Sequence, residues 1–449
     1  MHEIAVRHLY KEVTLDVGSP NDMKLSAFLN PKNIGLPYIR ELDLYLADVV
    51  DKCNQLQQAH FAIRMILELL PQDILEKFSW HPWSPFSGDN LVLLYKKQRR
   101  LKWLEAIALD KNVLSEIQKI PDFKNNFSNT RKLGLYPDTR DVLDFCQFLV
   151  VNSNTVEKIT LHASFDEGDT ALPARELNDS STGPGLITST MFSHMLPFNK
   201  CVPLALKEIT LQKIHLRYAA STYCKIINFR TVKSIRLFAC PGADALLAEL
   251  SSSTMLPEKL ETFEFKHTDN AENDGLSALD GFLCLVSGIK VLTVDITYAK
   301  SLPGASSICR HHKTLEELNV HVYPLAEESE EELHYDQSSF SQICNQCTRI
   351  EQISVAFPHR NILRQASPMF QNFEVSLQSL FPSCNPMLTL TFLELLGRFA
   401  KLNHVEHYNL APSPSGNRLH GPIHLRTTSK GRGPTRIRAQ YRACKRTRP

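Results

Sequence analysis

The sequence predicts an α/β solenoid in which short parallel strands form one layer and helices pack against it. One phrase of six residues, with apolar side chains at its first, fourth and sixth positions, recurs between residues 206 and 355. It starts at Leu206, Val232, Leu260, Ile289, Leu315 and Ile350, so successive starts are 26, 28, 29, 26 and 35 residues apart. A strand that recurs at such a period buries its apolar side only by stacking on its neighbours.

Helices are predicted between these strands. The segments 243–250, 276–286 and 392–399 carry apolar residues every three or four positions, which turns one face of a helix towards the strand layer. Strands and helices that alternate at a period of about 20 to 29 residues are typical of leucine-rich repeats. The sequence therefore predicts a horseshoe, with parallel strands on the concave face and helices on the convex face.

The same phrase continues towards the N-terminus. It starts at Tyr10, Ile39, Leu75, Leu101, Thr130 and Val156, at spacings of 29, 36, 26, 29 and 26 residues. Two longer segments interrupt the period: about 165–185 is rich in turn formers, and about 326–336 contains a run of glutamates, so both are predicted to be solvated loops. We predict one leucine-rich-repeat-like solenoid over residues 1–410.

The last 39 residues differ in composition from the rest of the chain. Residues 411–449 contain ten Lys or Arg and no Asp or Glu, and because the whole chain has a net charge of +2, residues 1–410 carry −8. High charge with Pro and Gly and few aromatic residues predicts a disordered basic tail. Two interpretations stay open: the tail binds nucleic acid through its basic side chains, or it is an ordinary solvated tail.

Cysteine usage indicates the compartment. Eleven cysteines are spread from Cys53 to Cys444 without the clustering of a disulfide framework, and the N-terminus lacks the pattern of a secretory signal. We therefore expect reduced thiols and a cytoplasmic or nuclear protein. The most apolar stretch, 387–400, is interrupted by polar residues, so no membrane partner is predicted.

Motifs for chemistry are missing from the sequence. It has no Gly-rich phosphate loop, no Gly-x-Ser-x-Gly elbow and no His-Glu-x-x-His zinc helix, which predicts a protein that is not an enzyme, with no catalytic residues, cofactor or metal. Three groups have a superficial likeness to ligand sets: Cys344 with Cys347, Cys309 with His311 and His312, and His404 with His407. None of these groups supplies four suitably spaced ligands. We expect core or surface thiols at Cys344 and Cys347, solvated helix-end residues at Cys309, His311 and His312, and plain surface at His404 and His407.

A candidate binding surface follows from strand geometry. Within each phrase the residues between the apolar positions point away from the core, because side chains alternate along a strand. Phe238 beside Arg236 is the expected anchor, since aromatic and Arg side chains supply much of the energy at interfaces. The alternative is that these are merely solvated strand residues. The predicted partner-binding residues are Arg236, Phe238, Glu264, Lys266, Thr293, Asp295, Asn319 and His321.

Four segments carry a resemblance to a known family. Residues 6–17, 38–44, 70–80 and 98–104 resemble fungal F-box/leucine-rich-repeat proteins. The resemblance implies that the repeats bind a protein destined for ubiquitination, while an N-terminal F-box docks on the adaptor of a cullin-RING ubiquitin ligase. Here the first phrase already starts at Tyr10, so adaptor binding is expected only if an F-box lies upstream, and no cap for the first repeat is expected.

One segment has two possible interpretations. Residues 69–78 echo the opening of an F-box, with Leu-Pro followed by acidic and apolar residues. However, Leu75, Phe78 and Trp80 are in phase with the repeats on both sides, which favours a repeat strand. The leading hypothesis is therefore a non-enzymatic protein-interaction solenoid resembling the substrate-recognition part of an F-box protein. The alternative is a free-standing scaffold that associates with nucleic acid through its basic tail.

Overall fold

A computed structural model describes most of the chain up to residue 355. The described residues are 2–18, 23–46, 52–82, 84–153, 155–163, 179–180, 183–197, 202–253, 255–269, 274–324 and 333–355. Contacts divide the chain into two compact units: the first comprises residues up to 232 with 238–246, and the second comprises 233–237 with the residues from 247 onwards.

The first unit contains a parallel sheet whose strands follow one another in chain order. Each strand pairs in parallel with the next, across both short and long connections. A short antiparallel hairpin, β7 with β8, lies in the connection between the sixth and seventh strands of this sheet. The strands are β1 Glu12–Asp16, β2 Glu41–Tyr45, β3 Lys77–Trp80, β4 Trp103–Ala106, β5 Lys132–Leu135, β6 Lys158–His162, β7 Asp179–Ser180, β8 Gly183–Pro184 and β9 Glu208–Gln212.

The second unit repeats this arrangement. Its strands are again parallel and in chain order. They are longer than those of the first unit, with seven residues in each of the three central strands. The strands are β10 Ser234–Phe238, whose last residue is assigned to the first unit, β11 Thr262–Thr268, β12 Val291–Thr297, β13 Glu317–Tyr323 and β14 Gln352–Val355.

Helices occupy most of the connections between strands and contact one another in series. Their apolar residues pack on the strands: the ring of Phe282 lies 5.2 Å from that of Phe263 in β11. The predicted α/β class with parallel strands is confirmed. The helices are α1 His2–Leu9, α2 Met23–Phe28, α3 Lys52–Leu69, α4 Gly88–Lys97, α5 Val113–Gln118, α6 Arg140–Asn152, α7 Leu186–Met191, α8 Ala220–Ile226, α9 Ala243–Ser252, α10 Gly275–Leu285, α11 Ala305–Cys309 and α12 Gln337–Gln346.

The repeated phrases form the strands and their core. The fourth and sixth positions of every phrase from Tyr10 to Ile350 lie in a strand, and the first position is fully buried in most repeats. The two weakest matches, Thr130 and Ala106, are also buried. Thr130 is tolerated there because its hydroxyl lies 3.3 Å from the buried Tyr95 hydroxyl, so each polar group has a partner.

One backbone carbonyl at the second position of the phrase ties each repeat to the following one. It accepts two N–H groups from the next repeat; for example, Glu76 O accepts from Lys102 N and Trp103 N, both at 2.9 Å. We call this contact the double-acceptor link. Among the described residues it recurs at Lys11, Arg40, Glu76, Lys102, Arg131 and Glu157 in the first unit, and at Lys233, Glu261, Lys290 and Glu316 in the second.

Side chains at the linking positions are charged, and several pair across repeats. Lys102 Nζ lies 3.0 Å from Glu76 Oε2, and Lys290 Nζ lies 3.0 Å from Glu261 Oε2. Exposed pairs of this kind contribute at most about 1 kcal/mol each. The backbone link therefore determines the stacking, and the charges keep that edge of the sheet solvated.

Two expectations concern the N-terminal region. Residues 77–80 form strand β3, hydrogen-bonded between β2 and β4, so the segment 69–78 leads into a repeat strand. The expected lack of a cap over the first repeat stays a prediction; α1 lies ahead of Tyr10 and contacts the short 3₁₀ helix Leu36–Tyr38.

The two predicted insertions are described only in part. Most of the segment at about 165–185 lies outside the described residues, apart from the β7–β8 hairpin. Of the segment at about 326–336, residues 333–336 are described, and there Tyr335 donates a hydrogen bond to Pro303 O at 2.9 Å. The predictions for residues 356–410 and for the tail at 411–449 lie outside the described residues. In the described part, no helix is long and apolar enough to cross a membrane.

A buried glutamine braces one of the connections in the first unit. Gln98 Oε1 accepts hydrogen bonds from Ile74 N at 2.9 Å and Leu75 N at 3.0 Å, while Nε2 donates to Pro71 O at 2.8 Å. The residue is inaccessible to solvent. Its amide therefore satisfies one buried and two half-buried backbone groups just where the chain enters β3.

We expect Gln98→Leu to lower the free energy of unfolding by about 2 kcal/mol, because one buried and one half-buried N–H group lose their acceptor. Urea unfolding measures the change. The matched control is Gln118→Leu at the exposed end of α5, which we expect to shift stability by less than about 0.5 kcal/mol. Equal stabilities of the two variants would contradict this role for the Gln98 amide.

Candidate protein-binding site

The polar face of the second unit is the side of its strands opposite the buried apolar residues. Its residues alternate with buried ones, as in β12, where Thr293 and Asp295 are half-buried between Leu292, Val294 and Ile296. Parallel pairing in register aligns them in rows across the strands. One row contains Glu264, Thr293, Asn319 and Ser354, and the next contains Lys266, Asp295 and His321.

Ion pairs connect neighbouring strands on this face. Arg236 Nε lies 2.8 Å from Glu264 Oε1, and Lys266 Nζ donates to Asp295 Oδ2 at 2.8 Å. Each pair joins one strand to the next, and the two pairs lie in adjacent rows. The face therefore carries both signs of charge at fixed positions, with no large field of one sign.

Hydrogen bonds continue the network towards β14. Asn319 Nδ2 donates to Thr293 Oγ1 at 3.3 Å, and Gln352 Nε2 donates to Asn319 Oδ1 at 3.1 Å. His321 Nε2 lies 3.4 Å from Ser354 Oγ. These contacts restrict the rotamers of the side chains, which lowers the entropy cost when another molecule binds.

Seven of the eight residues predicted to bind a partner lie together on this polar face: Arg236, Glu264, Lys266, Thr293, Asp295, Asn319 and His321. The eighth, Phe238, is the last residue of β10 and is half-buried, and its carbonyl accepts a hydrogen bond from Lys213 N at 2.9 Å. Its role as an anchor stays a prediction.

Two exposed tyrosines beside the polar face were not singled out by the sequence. Tyr323 ends β13 on the same side as Asn319 and His321 and is 44% exposed, while Tyr298 follows β12 and is 51% exposed. Tyr298 N donates to Tyr323 O at 2.6 Å, and Tyr298 has a positive φ of 64°. A bulky residue in that conformation indicates a chain held there by its surroundings.

The signal for Tyr323 was present in the sequence. Tyr323 lies two residues after His321, so the alternation that places His321 on the polar face also places Tyr323 there. The three central strands of the second unit extend three residues beyond the six-residue phrase, whereas the prediction stopped at the first residue after it. Tyr298 could be found only after the turn geometry was known.

The groups that resembled metal ligands are structural where they are described. Cys344 and Cys347 are buried in and after α12, and burial raises the pKa of Cys347 to about 12. His312 is exposed, as expected. The expectation that Cys309 and His311 are solvated is wrong, because both are buried. Within the described residues, no group of three or more His, Cys, Asp or Glu could hold a metal. His404 and His407 lie outside them.

One buried His–Asp pair has the composition of a catalytic dyad. His267 Nε2 lies 3.5 Å from Asp269 Oδ1, and burial raises the pKa of the Asp269 carboxyl. The same oxygen accepts a hydrogen bond from Gly275 N at 2.9 Å, at the start of α10. Asp269 therefore anchors the helix that follows β11, and His267 stacks on Phe265 at 5.3 Å. The pair has the geometry of a structural brace.

An open polar depression of about 490 Å³ lies beside the starts of α4 and α5. Its polar groups serve local structure: Ser87 Oγ accepts from Asn90 N at 3.3 Å, and Lys119 Nζ donates to Glu116 Oε1 at 2.7 Å. It is lined by Ser87, Gly88, Asp89, Asp110, Asn112, Ser115, Glu116 and Lys119.

Comparison of the sequence with known proteins returned no match to a family model and no match to a curated protein. The functional interpretation therefore rests on the geometry of the chain itself.

Protonation of His311 predicts a pH dependence of stability. Burial lowers the pKa of His311 from 6.5 to about 4, so the folded chain keeps this imidazole neutral. The unfolded chain protonates His311 below about pH 6.5, whereas the folded chain does not. The contribution of His311 to the free energy of unfolding is therefore fully present above about pH 6.5 and is lost as the pH falls towards 4. Between pH 7 and pH 5 we expect a loss of about 2 kcal/mol from this group.

The measurement is urea unfolding at pH 7 and pH 5. His311→Leu should lose less stability than the parent chain over that interval, whereas His312→Leu, at the exposed neighbouring histidine, should behave like the parent. An unchanged pH dependence in His311→Leu would rule out this assignment.

Proposed function

We propose that the chain is a non-enzymatic protein-interaction solenoid and that a partner protein binds the polar face of the second unit. The observation that carries this proposal is the placement of two exposed tyrosines beside a surface whose other side chains are held by cross-strand contacts. Tyrosine is enriched among the residues that dominate binding energy, because its ring buries a large area at low entropic cost.

The size of the face favours a macromolecule over a small ligand. Strands lie about 4.8 Å apart and rise about 3.3 Å per residue, so five strands with up to seven residues present a surface roughly 20 Å in each direction. Such an area is a substantial part of the about 800 Å² that each partner buries in a standard interface. Small-molecule sites, in contrast, are clefts lined mostly by apolar side chains.

We further propose that the repeats form a leucine-rich-repeat horseshoe whose concave side is the polar face. On the resemblance to F-box/leucine-rich-repeat proteins, the bound protein is a substrate presented for ubiquitination by a cullin-RING ligase. A pull-down with the purified ligase adaptor tests that context. Retention of the adaptor by the complete gene product supports it; if the adaptor is not retained, the ligase role falls and protein binding is tested separately.

We expect Tyr323→Ala to weaken partner binding by about tenfold or more, because an aromatic side chain that dominates an interface contributes about 2 kcal/mol. A photo-crosslinking residue at position 323 would first identify the bound protein in an extract of the native cells. Titration calorimetry with that purified partner would then measure the affinities of the parent chain and the variant.

Tyr218→Ala is the matched control, because Tyr218 is 43% exposed but lies in the first unit. It should leave the affinity within about twofold of the parent value. Equal losses in both variants, or no loss in Tyr323→Ala, would contradict a binding site on the polar face.

A further inference from the structure

Four residues of the first unit form a row of a different character. Lys77, Trp103, Lys132 and Lys158 are aligned partners in β3, β4, β5 and β6, each at the third position of its phrase. We call them the tryptophan–lysine row. A comparison of the third residues of successive phrases reveals this row from the sequence alone.

Three ammonium groups converge on one indole ring in this row. The Nζ atoms of Lys77, Lys132 and Lys158 lie 4.6, 5.0 and 5.1 Å from the centroid of Trp103. Because all three lie about 5 Å from one point, any two are within about 10 Å of each other. At separations up to about 10 Å, close to the Debye length of about 8 Å at physiological salt, the repulsion between these charges is only partly screened.

Carboxylates neutralise the two ends of the row but not its middle. Lys77 Nζ lies 3.1 Å from Asp43 Oδ1, and Lys158 Nζ lies 3.1 Å from Glu208 Oε2. Among the described residues, Lys132 has no carboxylate within ion-pair distance and contacts the Trp103 ring instead. The excess positive charge is therefore located at Lys132.

The nearest acidic side chain in the adjacent row is held by another group. Glu105 lies over Gly134, where a Cβ would come within 2.7 Å of Glu105 Cγ, and its Oε1 accepts a hydrogen bond from Tyr136 at 3.1 Å. Tyr136 follows the end of β5, whereas Lys132 begins that strand. Glu105 is thus drawn towards the opposite end of the strand from Lys132.

We propose that the tryptophan–lysine row binds an acidic peptide segment of a partner protein, with a Glu or Asp carboxylate on Lys132. The flanking ion pairs fix Lys77 and Lys158 against the ring, which leaves a preorganised cationic centre lacking only its anion. A nucleic acid is less well matched, because stacking of a base requires a free aromatic face and the lysines cover this one.

The test uses the full chain and a fluorescein-labelled peptide of eight glutamates, with an eight-glutamine peptide as the neutral probe. Fluorescence anisotropy at low salt should detect the acidic peptide and not the neutral one. We expect Lys132→Gln to weaken binding about fivefold or more and Lys132→Arg to retain it, since the interaction is mainly with the charge.

The matched control is Lys102→Gln, one residue before Trp103, where the ammonium is paired with Glu76 on the exposed edge. It should change the affinity by less than about twofold. Circular dichroism of each variant shows whether the fold is retained.

Carbodiimide coupling of the peptide to the chain, followed by mass spectrometry, separates this row from the basic segment 411–449. Crosslinks at Lys132, Lys77 or Lys158 support the proposal. Crosslinks confined to other lysines, equal losses in Lys132→Gln and Lys102→Gln, or no detectable peptide binding would each overturn it. If a single-stranded oligonucleotide bound more tightly than the peptide and depended in the same way on Lys132, the ligand of the row would be a nucleic acid and not an acidic peptide.

Discussion

The double-acceptor link is the constraint on which the rest of the structure depends. One carbonyl oxygen accepts two N–H groups of the next repeat, at distances of 2.7 to 3.1 Å throughout both units. A shift of one residue between strands would break both bonds and turn the apolar side chains away from the core. The link thus fixes the register, and the register decides which side chains from different repeats become neighbours.

Burial and register together determine the chemical character of the polar face of the second unit and of the tryptophan–lysine row of the first. Most of the apolar positions are buried, which fixes the orientation of the strands, and the positions between them are presented in straight rows. In the second unit the rows carry alternating charges that pair internally, and in the first unit they concentrate three ammonium groups around Trp103. The same backbone therefore supports two surfaces of different electrostatic character.

The sequence predicted the strands, because they depend on which positions along the chain are apolar. It did not predict contacts between residues that are far apart in the chain. The strands at Leu260 and Ile289 follow from three buried positions, and even Thr130 was placed correctly despite its hydroxyl. The bracing amide of Gln98, the exposed pair Tyr298 and Tyr323, and the convergence on Trp103 involve partners 23 to 55 residues apart. Such contacts become visible only once each residue has been assigned its neighbour in the next strand.

The long connection between β6 and β9 has a consequence for how such a protein can change. Lys158 and Glu208 are separated by 50 residues in the chain, yet they face each other as though the repeats were consecutive. Residues can be inserted into or deleted from that connection without affecting the ion pair between Lys158 and Glu208. The fold can therefore acquire new loops, each a potential site of regulation, without altering the surfaces that its strands already display.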